Sequence, residues 1–102
     1  MQAIIEQTAI PETASTIDYL LNKLENADAV LKNNIENKIV NIGEKIIPDL
    51  LRNLPTATGV KRGVIVMALI RNGRLAIEYV KNFAKENYQS AWMAHYILNE
   101  IV

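Results

Sequence analysis

Few residues of this 102-residue chain are equipped for chemistry. It has one histidine, His95, and no cysteine, so disulfides and thiolate chemistry are excluded. A zinc site built on a single imidazole would need several carboxylates beside it, and none cluster around His95 in the sequence. The two serines, Ser15 and Ser90, stand in no nucleophile motif. Gly59 to Gly63 and Asn72-Gly73-Arg74 lack the spacing and the Lys-Ser/Thr ending of a phosphate loop. The residue inventory therefore predicts no catalytic group, no metal and no cofactor, and His95 reads as a hydrogen-bonding or packing residue.

What the chain does carry is binding chemistry. Tyr88, Trp92, His95, Tyr96 and Asn99 recur at spacings of three, four and seven, so a helix would gather them on one side. Trp and Tyr supply large, rigid contact area. The competing reading is that these aromatics shield the open end of a helical stack. All four arginines, Arg52, Arg62, Arg71 and Arg74, fall between positions 52 and 74. With Lys61 they could neutralise a few phosphates. The formal net charge is zero, however, which gives no global attraction to nucleic acid.

The elements that must position these residues are organised around Gly59 to Gly73, GVKRGVIVMALIRNG. Val64 to Ile70 is a run of seven apolar residues, so a helix here must be covered on more than one side. It is far shorter than the roughly 20 apolar residues that cross a bilayer, and no membrane association is expected. Val64-Ile65-Val66 would also suit a strand, but the glycine-bounded segment is long enough to be a helix. Its counterparts elsewhere in the chain do not alternate.

Those counterparts appear when the chain is displaced by 30 residues. Ile5, Ile35 and Ile65 then coincide, as do Ala9, Ile39 and Leu69, and Thr13, Gly43 and Gly73. Ile17, Ile47 and Ile77 align, and Leu20, Leu21 and Leu24 fall on Leu50, Leu51 and Leu54. After Tyr88 an offset of 28 restores the match, placing Met93, Ile97 and Leu98 on Ile65, Leu69 and Ile70. Such periods mark repeat architectures in which neighbouring units share one core. Each unit holds two helical runs. Thr13 and Ser15 are candidate caps for the first run, and Asn26 and Asp28 for the second. Pro48 suits a first turn, and Asn72-Gly73 suits a left-handed C-cap. Gly63 lies inside its helix, which suggests close packing against a neighbour.

IGEKIIPDLLRNL and KRGVIVMALIRNG, residues 42–54 and 61–73, resemble the outer and inner helices of a HEAT repeat. The resemblance covers essentially the whole chain. It implies an all-α fold, an α-solenoid of about three antiparallel helix-pair (HEAT-like) repeats in a right-handed superhelical stack. Residues 1–10 would be a truncated N-terminal cap helix, and 12–42, 43–72 and 73–102 the three units of one domain. The unit is short for the family, and the inner-helix ladder of Asp and Arg/Lys survives only as Lys32 and Arg62. Armadillo proteins, which share this architecture, hold peptides with a Trp and an Asn four residues apart. Here Trp92 is followed at that distance by Tyr96, so that mode does not carry over.

In a stack of this type the inner helices line a concave face. The repeat offset puts Asn34, Asn37, Lys38 and Asn41 in its first strip, and Lys61, Val64, Met67, Ala68 and Arg71 in its second. Trp92, His95, Tyr96 and Asn99 make the third. The expected function is a non-catalytic protein–protein interaction module, an adaptor, scaffold or inhibitor. It would bind a segment of a partner through Asn34, Asn37, Lys38, Asn41, Lys61, Met67, Arg71, Trp92, His95, Tyr96 and Asn99. The alternative is a nucleic-acid-binding HEAT-like module using Lys61, Arg62, Arg71 and Arg74. The absence of cysteine and of a basic, apolar leader points to the cytoplasm. An apolar last turn and a half-helix at the start lead us to expect weak end-to-end self-association.

Overall fold

A computed structural model describes residues 12–101, with side chains from residue 16 onward. The expected cap helix over residues 1–10 lies outside the described residues, as do the side chains of Thr13 and Ser15. Among the described residues the fold is all-helical, with no strand. The helices are α1 (Glu12–Asn22), α2 (Ala29–Ile42), α3 (Ile47–Asn53), α4 (Gly59–Asn72), α5 (Arg74–Glu86) and α6 (Ala91–Ile101). Short 3-10 turns occupy Lys23–Asn26, Glu44–Ile46, Leu54–Thr56 and Tyr88–Ser90. Val64-Ile65-Val66 lies in the middle of α4, so the strand alternative is gone. No described helix is long and apolar enough to cross a membrane.

The 30-residue offset seen in side-chain types is also written in the backbone. α2 and α4 are both 14 residues long and begin at positions 29 and 59. Each is preceded by an extended alanine that closes the turn before it. Ala27 N–H donates to the Leu24 carbonyl and Ala57 N–H to the Leu54 carbonyl, both at 3.3 Å. Each ends at a glycine with positive φ, Gly43 at 90° and Gly73 at 63°. The glycine N–H reaches back to Val40 O at 3.1 Å in one case and to Ile70 O at 3.0 Å in the other. These glycines have ψ of −157° and −131°, so the turn is not the left-handed helical cap expected for Asn72-Gly73. It is a more extended conformation at positive φ, still one that a Cβ disfavours.

The start signals resolve in the same way. Asp28 caps α2, its Oδ1 accepting the Leu31 N–H at 2.8 Å. α1 already runs from Glu12, so Thr13 and Ser15 lie within it rather than ahead of it. Pro48 sits in the first turn of α3, where a missing N–H costs no helical bond. Pro55 occupies the 3-10 turn that follows. The pattern changes where the offset falls to 28. Asn87 replaces the extended alanine, donating its N–H to Phe83 O at 2.9 Å, and a 3-10 turn leads into α6.

Packing follows the offset too. α1 contacts α3 and α3 contacts α5, while α2 contacts α4 and α4 contacts α6. Sequential neighbours α1/α2, α3/α4 and α5/α6 contact across these two layers. Ile35, Ile65 and Met93 are buried at equivalent positions, and so are Ile39, Leu69 and Ile97. From the other layer come Ile17 and Ile47, then Leu20, Leu50 and Val80. Each fully buried residue of this size contributes about 1.5–3 kcal/mol of transfer free energy. The core is thus one continuous apolar seam between the odd-numbered and even-numbered helices.

Two expectations fail here. Val64 and Ala68 were placed on the open face, yet both are buried. Among the described residues α4 has α2 on one flank and α6 on the other, and it buries residues whose equivalents on α2 and α6 are exposed. Gly63 was expected to permit close packing, yet it is exposed and a Cβ built on it would meet nothing within 4 Å.

Candidate functional site

α2, α4 and α6 together carry every residue proposed from the sequence for partner binding. Asn34, Asn37, Lys38 and Asn41 are exposed on α2, and Met67 and Arg71 on α4. Lys61 is half-buried in the first turn of α4. Trp92, His95, Tyr96 and Asn99 are exposed on α6.

The structure sorts these residues into different rows. Asn37, Met67 and His95 are equivalent and exposed in all three helices, and so are Asn41, Arg71 and Asn99. They form an uninterrupted surface across the even-numbered layer. The row Asn34, Val64, Trp92 and the row Lys38, Ala68, Tyr96 are broken in the middle by burial. Asn34 and Lys38 are therefore not continuous with the aromatics of α6 along those rows.

Arg71 is more occupied than its sequence position suggests. Its Nη1 donates to Asn37 Oδ1 at 2.8 Å and to Glu36 Oε2 at 3.0 Å, tying α4 to α2. Asn37 and Arg71 are thus partners of each other on the face. Arg62 stands with its Cζ 6.0 Å from the centroid of the Trp92 ring, a cation–π contact that joins α4 to α6. Trp92 keeps 61% of its surface exposed.

A further row was recognised from the sequence only at its Tyr88 end. Val30, Val60 and Tyr88 share the 30- and 28-residue offsets and are 69%, 50% and 81% exposed. They stand at the first turns of α2 and α4 and in the turn leading into α6. The offset was enough to find them. Tyr88 was singled out with the aromatics of α6, but Val30 and Val60 were not, because the offset was followed only through the core and open-face positions. Shallow cavities follow the same edge, including one of 270 Å³ against Val60 and Lys61 and one of 320 Å³ against Pro55 and Tyr88.

For catalysis the geometry offers little. Ser90 is buried in its 3-10 turn while His95 is exposed. No group of three or more metal-ligating side chains occurs among the described residues. Tyr79 donates its hydroxyl to Glu44 Oε2 at 3.1 Å. That hydrogen bond, together with the carboxylate charge, raises the phenol above its ordinary range. It links α5 to the turn before α3 and is a structural contact. The four cations of the nucleic-acid alternative are dispersed. Arg71 is paired with Glu36, Arg62 lies against Trp92, and Arg74 opens α5 in the other layer.

Comparison with protein-family models, with curated proteins and with solved structures finds no match to this chain.

Proposed function

We propose that this chain is a HEAT-like helical repeat that binds a segment of another protein across α2, α4 and α6 and catalyses no reaction. In this reading the helix pairs α1/α2, α3/α4 and α5/α6 are the three repeats of an α-solenoid, and the even-numbered helices are its inner layer. A cytoplasmic setting belongs to the same reading.

One observation carries it. Among the described residues, nine large apolar side chains are exposed, and seven belong to the even-numbered helices or the turn leading into α6. They are Val30, Leu31, Val60, Met67, Tyr88, Trp92 and Tyr96; only Tyr19 and Leu75 lie in the other layer. Single exposed apolar residues need no explanation, but a concentration of them on one layer marks an interaction surface. Asn37, Asn41 and Asn99 interleave polar groups that can bond to a partner's backbone.

The test is site-specific photo-cross-linking in cells, with benzoylphenylalanine at Met67, at Trp92 or, as a control, at Lys81 on α5. We expect a discrete cross-linked protein from the first two positions and none from Lys81. Adducts formed only from Lys81, or from none of the three, would reject the even-numbered layer as the binding face.

A further inference from the structure

We infer that the segment bound by this face is acidic, with an aromatic or aliphatic anchor at the α6 end and carboxylates toward α4 and α2. The inference rests on the proposed function and adds the chemistry of the partner.

The charges of the even-numbered helices are one-sided. They carry Lys32, Lys38, Lys61, Arg62 and Arg71 against the carboxylates Glu36 and Glu100. Arg71 takes Glu36 at 3.0 Å. Lys32, Lys38, Lys61 and Arg62 then have no carboxylate within ion-pair distance among the described residues. The nearby Asp28 is engaged as the cap of α2, and Asp18 and Glu25 share cavities with Lys61 but make no ion pair with it. Arg62 is held against Trp92, and its guanidinium N–H groups make no hydrogen bond among the described residues. A guanidinium with free donors is suited to a carboxylate, which it can engage through two parallel bonds.

These cations have an order across the face. α6 has no Lys or Arg and presents Trp92 and Tyr96; α4 and α2 carry all five cations. The first turns combine both kinds of contact, as Tyr88 and Trp92, then Val60, Lys61 and Arg62, then Val30 and Lys32. Packed helices lie about 8–10 Å apart. An extended chain advances about 3.3 Å per residue, so it crosses one helix for roughly every three residues. The expected motif is an anchor residue with acids about three and about six positions away. A nucleic acid would need a wider basic surface. Pairing of Arg71 with Glu36 and the position of Arg74 in the other layer remove two of its four candidates.

The experiment uses the intact protein and a random 12-residue phage-displayed library. Enriched peptides are synthesised with a fluorescent label, together with versions carrying Gln for Asp and Glu, and a labelled 12-nucleotide oligothymidine is assayed beside them. We expect acidic peptides with one aromatic or aliphatic anchor. Their Gln versions should bind at least tenfold more weakly, and the Lys61→Gln/Arg62→Gln protein should lose that preference while Lys81→Gln keeps it. Peptides that depend on Trp92 but bind equally well as Gln versions would overturn the acidic partner and leave the binding face standing. So would preferential, steeply salt-dependent binding of the oligonucleotide, which would also favour a nucleic-acid partner. No peptide sensitive to Trp92→Ala would overturn both.

Discussion

Gly63 shows how a single residue can be misjudged without its surroundings. A glycine inside a helix costs about 1 kcal/mol against alanine, which suggests a compensating close contact. Here the position is exposed, no positive φ is required and nothing lies within 4 Å of a built Cβ. Gly63→Ala should therefore raise stability by about 0.5–1 kcal/mol, read as a higher midpoint in urea at unchanged slope. A lower midpoint would mean that the position is more crowded than the geometry indicates. Tyr79 gives a second residue-scale outcome. Its pKa is raised chiefly by the hydrogen bond to Glu44 and then by the carboxylate charge. A raised pKa means that the contact stabilises the fold below the ordinary tyrosine value of about 10 and is lost as pH rises through the higher folded value. Following tyrosinate absorbance, Tyr79→Phe identifies the Tyr79 component by removing it, and Glu44→Gln should move that component downward. A titration unchanged by Glu44→Gln would contradict the assignment.

At the scale of elements, the parts legible in the sequence were those that depend on local type and spacing. Gly43 and Gly73 ended their helices, Asp28 capped α2, and Ile35, Ile65 and Met93 filled one core row. The shortening to 28 residues was visible as well, and it corresponds to the turn at Asn87 to Ser90. What depends on neighbours was not legible. The run GEKIIPDLLRNL read as one helix, but α3 covers only Ile47–Asn53 between two 3-10 turns. Val64 and Ala68 share repeat positions with exposed residues in α2 and α6, and only the flanking helices bury them. The clasp of Arg71 with Asn37 and Glu36 joins residues 34 and 35 positions apart, which no local pattern announces. The exposed row at the helix starts was legible in principle through the same offset, which carries Tyr88 back to Val60 and Val30.

At the scale of the whole molecule, a layer facing solvent with Val60, Met67, Trp92 and Tyr96 is set against a layer whose helices expose mainly charged and polar side chains. The division of labour is physical. The buried seam stabilises the fold, and the exposed apolar residues of the even-numbered helices lie outside it. Trp92 is the strictest test, because a lid over the core and an anchor for a partner differ in what its removal costs. The decisive measurement compares Trp92→Ala with Lys23→Ala, each by thermal melting and by affinity for the partner captured through cross-linking. Trp92→Ala should weaken binding by about 2 kcal/mol, roughly 30-fold, with a stability loss below about 1 kcal/mol, while Lys23→Ala changes affinity little. A Trp92→Ala protein destabilised by about 3–5 kcal/mol, whose folded fraction still binds normally, would contradict the account.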